Sequence, residues 1–171
     1  MNAQHAKAAA DVIADMWEGE SRATCEVIGA VRDDNRDYRP DPKSRTAWEL
    51  ATHLATADIW FIDSIVNGSF AFDPEAAKRA EAQFRTVNDI VEFYRKTLPE
   101  KLSALRAVPA EKMAETLDFF GVITMPRAKF VAFANNHSIH HRGQLAAYLR
   151  AHGSKVPNIY GPSADAAPAG V

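Results

Sequence analysis

The chain alternates long runs of helical periodicity with short breaker-rich segments, and few architectures accept that alternation. A first helix is expected over about residues 6–31, where Val12, Met16, Ala23, Val27, Ala30 and Val31 recur near helical spacing as an apolar stripe. Residues 32–43 are rich in Asp, Asn, Arg and Pro and hold no apolar face to bury; Pro40 and Pro42 favour extended backbone, so a loop is expected. A second helix starts at Ser44 or Thr46, where Thr46 and Glu49 form a capping-box pair, and stops at Asn67-Gly68. Its helical stripe carries Leu50, His53, Leu54, Ala57, Trp60 and Ile65. Asp73-Pro74-Glu75 reads as a cap followed by a first-turn proline, opening a short helix to about residue 82.

A third long helix is expected over about residues 87–107, with Ile90, Val91, Tyr94, Leu98, Leu102 and Leu105 inward and a kink or break at Pro99. Residues 110–125 read as a small strand pair around Gly121 or as a loop. The last long helix begins at Pro126, carries Phe130, Phe133, Leu145, Tyr148 and Leu149, and ends at Gly153. Four long helices with one irregular connection describe an all-α four-helix bundle.

At 171 residues, 47% of them hydrophobic, the chain suits one domain with a single core, expected over 1–163. The Ala-, Gly- and Pro-rich end, 164–171, is expected to be a disordered tail. The formal charge of −2 is spread without blocks, which excludes a basic nucleic-acid footprint and gives no attraction to an anionic membrane. Cys25 stands alone, so no intramolecular disulfide forms, and a lone thiol fits a reducing compartment. The first ten residues lack a signal-peptide core, and no apolar run nears the roughly 20 residues of a membrane span. A cytoplasmic location is expected.

The chemistry concentrates in histidines. His137, His140 and His141 cluster on the last helix. Side chains four apart on a helix are rotated by only about 40°, and three apart by about 60°. His137 therefore pairs geometrically with His141 or with His140, and spacing alone does not choose. Phe130 and Tyr148 fall on the His137/His141 side, which favours that pair facing inward. His53 lies midway along the second helix on a stripe with Leu50, Ala57 and Trp60. An imidazole on such a stripe must be hydrogen-bonded, metal-bound or exposed. A single histidine there is usually a satisfied core residue; three on two helices point further. Three neutral imidazoles suit one divalent transition metal, Zn or Ni first and Fe or Cu next, with an open position for water or substrate.

Motifs extend the reading. His137-x-x-x-His141-Arg142-Gly143-Gln144, Val156-Pro157-Asn158-Ile159-Tyr160, Asp37-Tyr38-Arg39-Pro40 and Trp48-Glu49-Leu50-Ala51-Thr52-His53-Leu54 occur in the chain. Together they resemble the DinB-like family of metal-binding helical bundles, over most of the chain. The resemblance implies an up-down-down-up connection and a three-histidine site at His53, His137 and His141, with His140 at a non-ligand position. It also implies frequent homodimers and, in several members, metal-dependent transfer or isomerisation with a low-molecular-weight thiol. Family membership by itself supplies no substrate.

Around the site, Glu49 is one turn before His53 and is a candidate to orient it unless the cap uses it; Asp58 and Asp118 are weaker candidates, most simply solvated. Arg142 reads as an anion contact or a helix salt bridge, Gln144 as orienting a ligand or meeting a dimer partner, and Gly143 as a close approach of another helix. Cys25 reads as a small buried hydrophobe. Two functions compete. One is an enzyme acting on a small-molecule substrate with a thiol, or a metal-dependent hydrolase, although no general base is evident. The other is a non-catalytic dimeric metal- or ligand-binding stress protein. A di-iron carboxylate bundle is excluded, because the Glu-x-x-His pairs it needs are missing.

Overall fold

Each long helix but the last is set at its start by a side chain that satisfies backbone N–H groups with no partner inside the helix. The computed structural model describes residues 1–165. Helix α1 (Ala3–Gly29) is capped by Asn2, which accepts from the His5 N–H at 2.8 Å. Helix α2 (Ala47–Asn67) opens on the expected capping box: the Glu49 N–H donates to Thr46 Oγ1 at 3.1 Å and the Thr46 N–H donates to Glu49 Oε2 at 2.7 Å. It closes at Gly68, in the left-handed region at φ 80°. A Cβ there would also collide with the Arg127 guanidinium. That guanidinium donates to the carbonyls of Ile65 and Val66 at 3.2 and 3.3 Å, which ties the end of α2 to the start of the last helix.

Asp73 caps α3 (Pro74–Ala82), and Thr86 with Asp89 forms a second capping box on α4 (Val87–Arg106). Pro99 does not break α4. Pro99 and Arg95 are both exposed, so water can take the Arg95 carbonyl that the proline leaves without a donor. A short α5 (Ala110–Ala114) leads into β1 (Thr116–Phe119) and β2 (Ile123–Pro126). The two strands pair antiparallel, Thr116 opposite Pro126 and Phe119 opposite Ile123. Phe120 and Gly121 form the turn at φ 56° and 71°, the strand-pair alternative of the sequence reading. Asp118 pins that turn, accepting from the Gly121 N–H at 2.9 Å and from Thr124 Oγ1 at 3.0 Å. Helix α6 (Arg127–Ala151) completes the fold.

Contacts along the helices give their directions. Arg106 near the end of α4 pairs with Asp15 and Glu18, while Val91 near its start meets Gly29, so α1 and α4 are antiparallel. Asp58 meets Tyr94 and Asp63 meets Lys101, so α2 and α4 are parallel. Arg127 on α6 reaches the end of α2, and Arg142 reaches Glu20 and Thr24 on α1. The bundle is therefore up-down-down-up, with α1 and α2 each packed between α4 and α6.

One stripe differs from expectation. Val12 and Met16 are 58% and 52% exposed, and α1 buries Ala6, Ala10, Ala14 and Trp17 instead. Alanines one turn apart let α1 lie close against α5 and α6, which the larger side chains would hold off. Of the tail expected at 164–171, residues 166–171 lie outside the described residues; Asp165 accepts from the Val156 N–H at 2.9 Å and pairs with Arg150. No helix among the described residues is long and apolar enough to cross a membrane.

At the centre all four long helices meet on one carboxylate. Asp58 Oδ2 on α2 accepts from Tyr94 OH on α4 at 2.7 Å, Ser138 Oγ on α6 at 2.8 Å and Trp17 Nε1 on α1 at 3.3 Å. Asp58 is fully buried, contrary to its expected solvation, and burial pushes its pKa up to about 7 despite those three donors and the nearby Arg142 charge. A folded-state pKa above the unfolded value means that the folded state holds the proton more tightly, so the stability contributed is full below about pH 4 and is lost as pH rises towards 7. Asp58→Ala strands three buried donors and is expected to cost roughly 3–5 kcal/mol. Asp58→Asn is expected to cost less, and its deficit in chemical denaturation should be larger at pH 5 than at pH 8; a deficit that grows with pH would contradict this assignment.

Candidate metal centre

The capping box fixes where α2 begins, and so fixes the face on which His53 emerges, one turn beyond Glu49. Leu50 and Leu54 on either side of it are fully buried, which leaves His53 half-buried at the edge of the core. On α6, Phe130, Ala134, Ser138 and Leu145 face the core and hold the neighbouring stripe, with His137 and His141, towards α2. The rings of His53 and His137 are 5.3 Å apart, those of His53 and His141 4.8 Å, and those of His137 and His141 4.4 Å. One nitrogen from each lies within 4.8 Å of the others, so the three could hold a metal ion. His140 packs beside His141 but is exposed and outside this group.

The donor chemistry fits an ion. Burial, assisted by the charge of Arg45 and by the neighbouring imidazoles, lowers the pKa of His53 to about 3. Burial and the two adjacent histidines lower His137 to about 4. Burial also lowers His141, against the opposing effect of its hydrogen bond to Gln144. All three are neutral near pH 7, the form in which imidazole binds metals. Gln144 Oε1 lies 3.1 Å from His141 Nδ1. An amide oxygen only accepts, so Nδ1 carries the proton and Nε2 keeps its lone pair. Gln144 Nε2 in turn donates to Tyr148 OH at 3.4 Å. His137 Nδ1 is buried and has no hydrogen-bond partner, an orphaned polar atom at the centre.

Other expected neighbours play different parts. Glu49 is taken by the capping box, Asp58 by its three donors and Asp118 by the hairpin turn. Arg142 is in a salt bridge, here between two helices and buried: it is 1% exposed and ion-paired with Glu20, and it donates to Thr24 Oγ1 at 3.3 Å and Tyr160 OH at 2.6 Å. It clamps α6 to α1 and to the segment after α6. Among the described residues, no atom outside the local helix backbone comes within 4 Å of where a Gly143 Cβ would stand, so the expected close approach of another helix is not found there. Cys25 is half-buried, and burial raises its thiol pKa, which makes it a poor nucleophile.

The centre opens on a cavity of about 630 Å³ between α2, α3, the hairpin and α6. His53 and His137 line it, with Trp60, Phe61, Phe119 and Phe133 forming much of the apolar wall. The hairpin supplies Phe119, which stacks on Phe61 at 6.1 Å between ring centres. This wall lay beyond the sequence reading, because Phe119 reaches it only through the strand pairing. Arg45, also at the cavity, precedes the α2 cap and so carried no periodic signal.

Fold and site together define a helical bundle in which neutral imidazoles from its second and last long helices meet at the wall of an apolar cavity. The DinB family model matches residues 2–168, and the chain belongs to the DinB family. It is 28% identical to the Bacillus subtilis protein YrdA over 149 residues, 86% of this chain and 85% of YrdA. The crystal structure of a DinB-like protein from Bacillus cereus is similar at a TM-score of 0.69 and 26% identity, covering 86% of this chain and 95% of that one. The mycothiol-dependent maleylpyruvate isomerase shares the fold at a TM-score of 0.52 and 9% identity, over 93% of this chain and 66% of that one.

Gln144→Ala removes the group that sets the His141 tautomer. It is expected to weaken Zn²⁺ binding about 10- to 100-fold, measured by competition with a chelating dye. Unchanged affinity would remove Gln144 from the centre.

Proposed function

We propose that the chain is a metal-dependent transferase that joins a small thiol to an electrophilic substrate. His53, His137 and His141 would hold one divalent transition metal, Zn or Ni in first place. The observation that carries this reading is the convergence of three neutral imidazoles, two of which, His53 and His137, line an open apolar cavity. The bound ion would supply Lewis acidity, favouring the deprotonated, nucleophilic form of the thiol.

This chain's residues do the rest. Gln144 holds the His141 proton at Nδ1, which turns Nε2 towards ligation. The aromatic wall keeps water sparse where the thiol and its partner meet, which disfavours hydrolysis. Of the carboxylates at the cavity, Asp63 is paired with Lys101 at 2.8 Å and Asp73 accepts from two N–H groups of α3, which leaves Glu81 as the one carboxylate there without a partner among the described residues and so the one available as a base on water. Thiol transfer needs no such base once the thiolate is formed. The isomerase that shares this fold is mycothiol-dependent, which is the reason for placing a thiol rather than water first. A purely storage or binding role would suit a centre sealed by protein; here His53 and His137 line an opening wide enough for a small molecule. A homodimer in the cytoplasm is part of the same proposal.

Protein purified without a histidine tag is expected to carry near-stoichiometric metal by elemental analysis. His140→Ala should match it and His137→Ala should hold much less. Loaded protein should accelerate conjugation of a small thiol to an electrophile, and a chelator should abolish the effect. Equal metal in parent and His137→Ala would refute the site, and an inert loaded protein across thiol and electrophile panels would refute the reaction.

A further inference from the structure

The cavity beside the histidines has a composition that selects its occupant. Its volume, about 630 Å³, is that of a site for a ligand of drug-like size. Trp60 is locked in the wall by donation from its Nε1 to the Ala71 carbonyl at 3.0 Å, and Phe61, Phe119 and Phe133 extend a flat-sided apolar surface towards His137. Opposite stands α3, which buries no residue of its own yet turns Ala76, Ala77 and Ala80 to the cavity. Phe72, just before it, is 61% exposed. An alanine face looking onto open space gains burial only when something apolar fills that space.

Four charged side chains line the cavity, Arg45, Asp63, Asp73 and Glu81, and Glu81 has no side-chain hydrogen-bond or ion-pair partner among the described residues. Lys101 neutralises Asp63, and α3 backbone N–H groups engage Asp73. Arg45 is the one lysine or arginine lining the cavity among the described residues, and it has no ion-pair or hydrogen-bond partner within them. It lines the same cavity as His53 and His137. One unpaired guanidinium offers the two-pronged fork that matches a carboxylate, whereas phosphate sites gather several cationic or backbone donors.

We propose that the substrate of this centre is a small, flat, apolar acid: an aromatic or conjugated body held among Trp60, Phe61, Phe119 and Phe133 beneath α3, with one carboxylate held by Arg45. This rests on the reading above, in which the three histidines mark the reacting end. It adds the chemical class of the electrophile and names Arg45 as the residue that selects for acids.

Calorimetric binding of naphthoate and of its neutral isostere naphthamide tests this on the full chain, both metal-loaded and chelator-treated. Wild type is expected to bind naphthoate about tenfold more tightly than naphthamide in both states. Arg45→Gln, an exposed position ahead of the α2 cap, should erase that preference and leave naphthamide binding unchanged. A preference that survives Arg45→Gln but vanishes with the metal would place the carboxylate on the ion, overturning this inference while sparing the metal centre. Failure of both probes to bind would overturn it too. An Arg45-dependent preference in a protein that takes up no metal would uphold the acid-binding cavity and bring down the metal reading alone.

Discussion

The bundle is organised around a single buried carboxylate. Asp58 has no solvent to hold its charge, and it draws one donor from each of the other three long helices: Trp17, Tyr94 and Ser138. Apolar packing alone is tolerant of helices that slide or rotate, because dispersion contacts are interchangeable. Hydrogen bonds at 2.7–3.3 Å to one oxygen are not. They set the depth of each helix against the others, and the shell of Leu50, Leu54, Ile62, Leu98 and Leu102 fills in around that register. The rise in the Asp58 pKa is the electrostatic cost of building the register on a carboxylate in a dry interior.

The architecture was legible because its signals are local. The Thr46/Glu49 box, the Asp73-Pro74 start, the Asn67-Gly68 stop and the turn at Gly121 are each specified within a few residues, and each stands where the sequence puts it. The inward face of early α1 was not legible. Val12 and Met16 are the more hydrophobic choice by composition, and only the proximity of α5 and α6 makes the alanine face the one that fits. Of the kink or break expected at Pro99, the break does not occur: a proline costs a helix one hydrogen bond, and whether that breaks the helix depends on solvent access, which a sequence does not display.

The same division runs through the site. Helical geometry pairs His137 with His141 or His140, the apolar stripe of α2 singles out His53, and the likeness to the DinB pattern favours His141; the structure brings His53, His137 and His141 together and leaves His140 outside. The surroundings depended on long-range contacts. Asp58 read as a surface acid because its three donors come from residues 36 to 80 positions away. Arg142 sits beside the ligand motif, yet its partners Glu20 and Thr24 lie at the other end of the chain. Gln144 was accessible to sequence reasoning because it acts on His141 within the same helical turn.

His137 and Ser138 are consecutive on α6, so one peptide unit carries both a cavity-wall imidazole and a member of the central hydrogen-bond hub. On α2, His53 and Asp58 stand only a turn and a half apart. The interior brace and the reactive face are thus two sides of the same pair of rods. A mutation deep in the apolar interior that lets α6 creep along α2 would detune the imidazole cluster from a distance, and drift in the cluster's ion affinity would register interior damage well before the protein lost its shape.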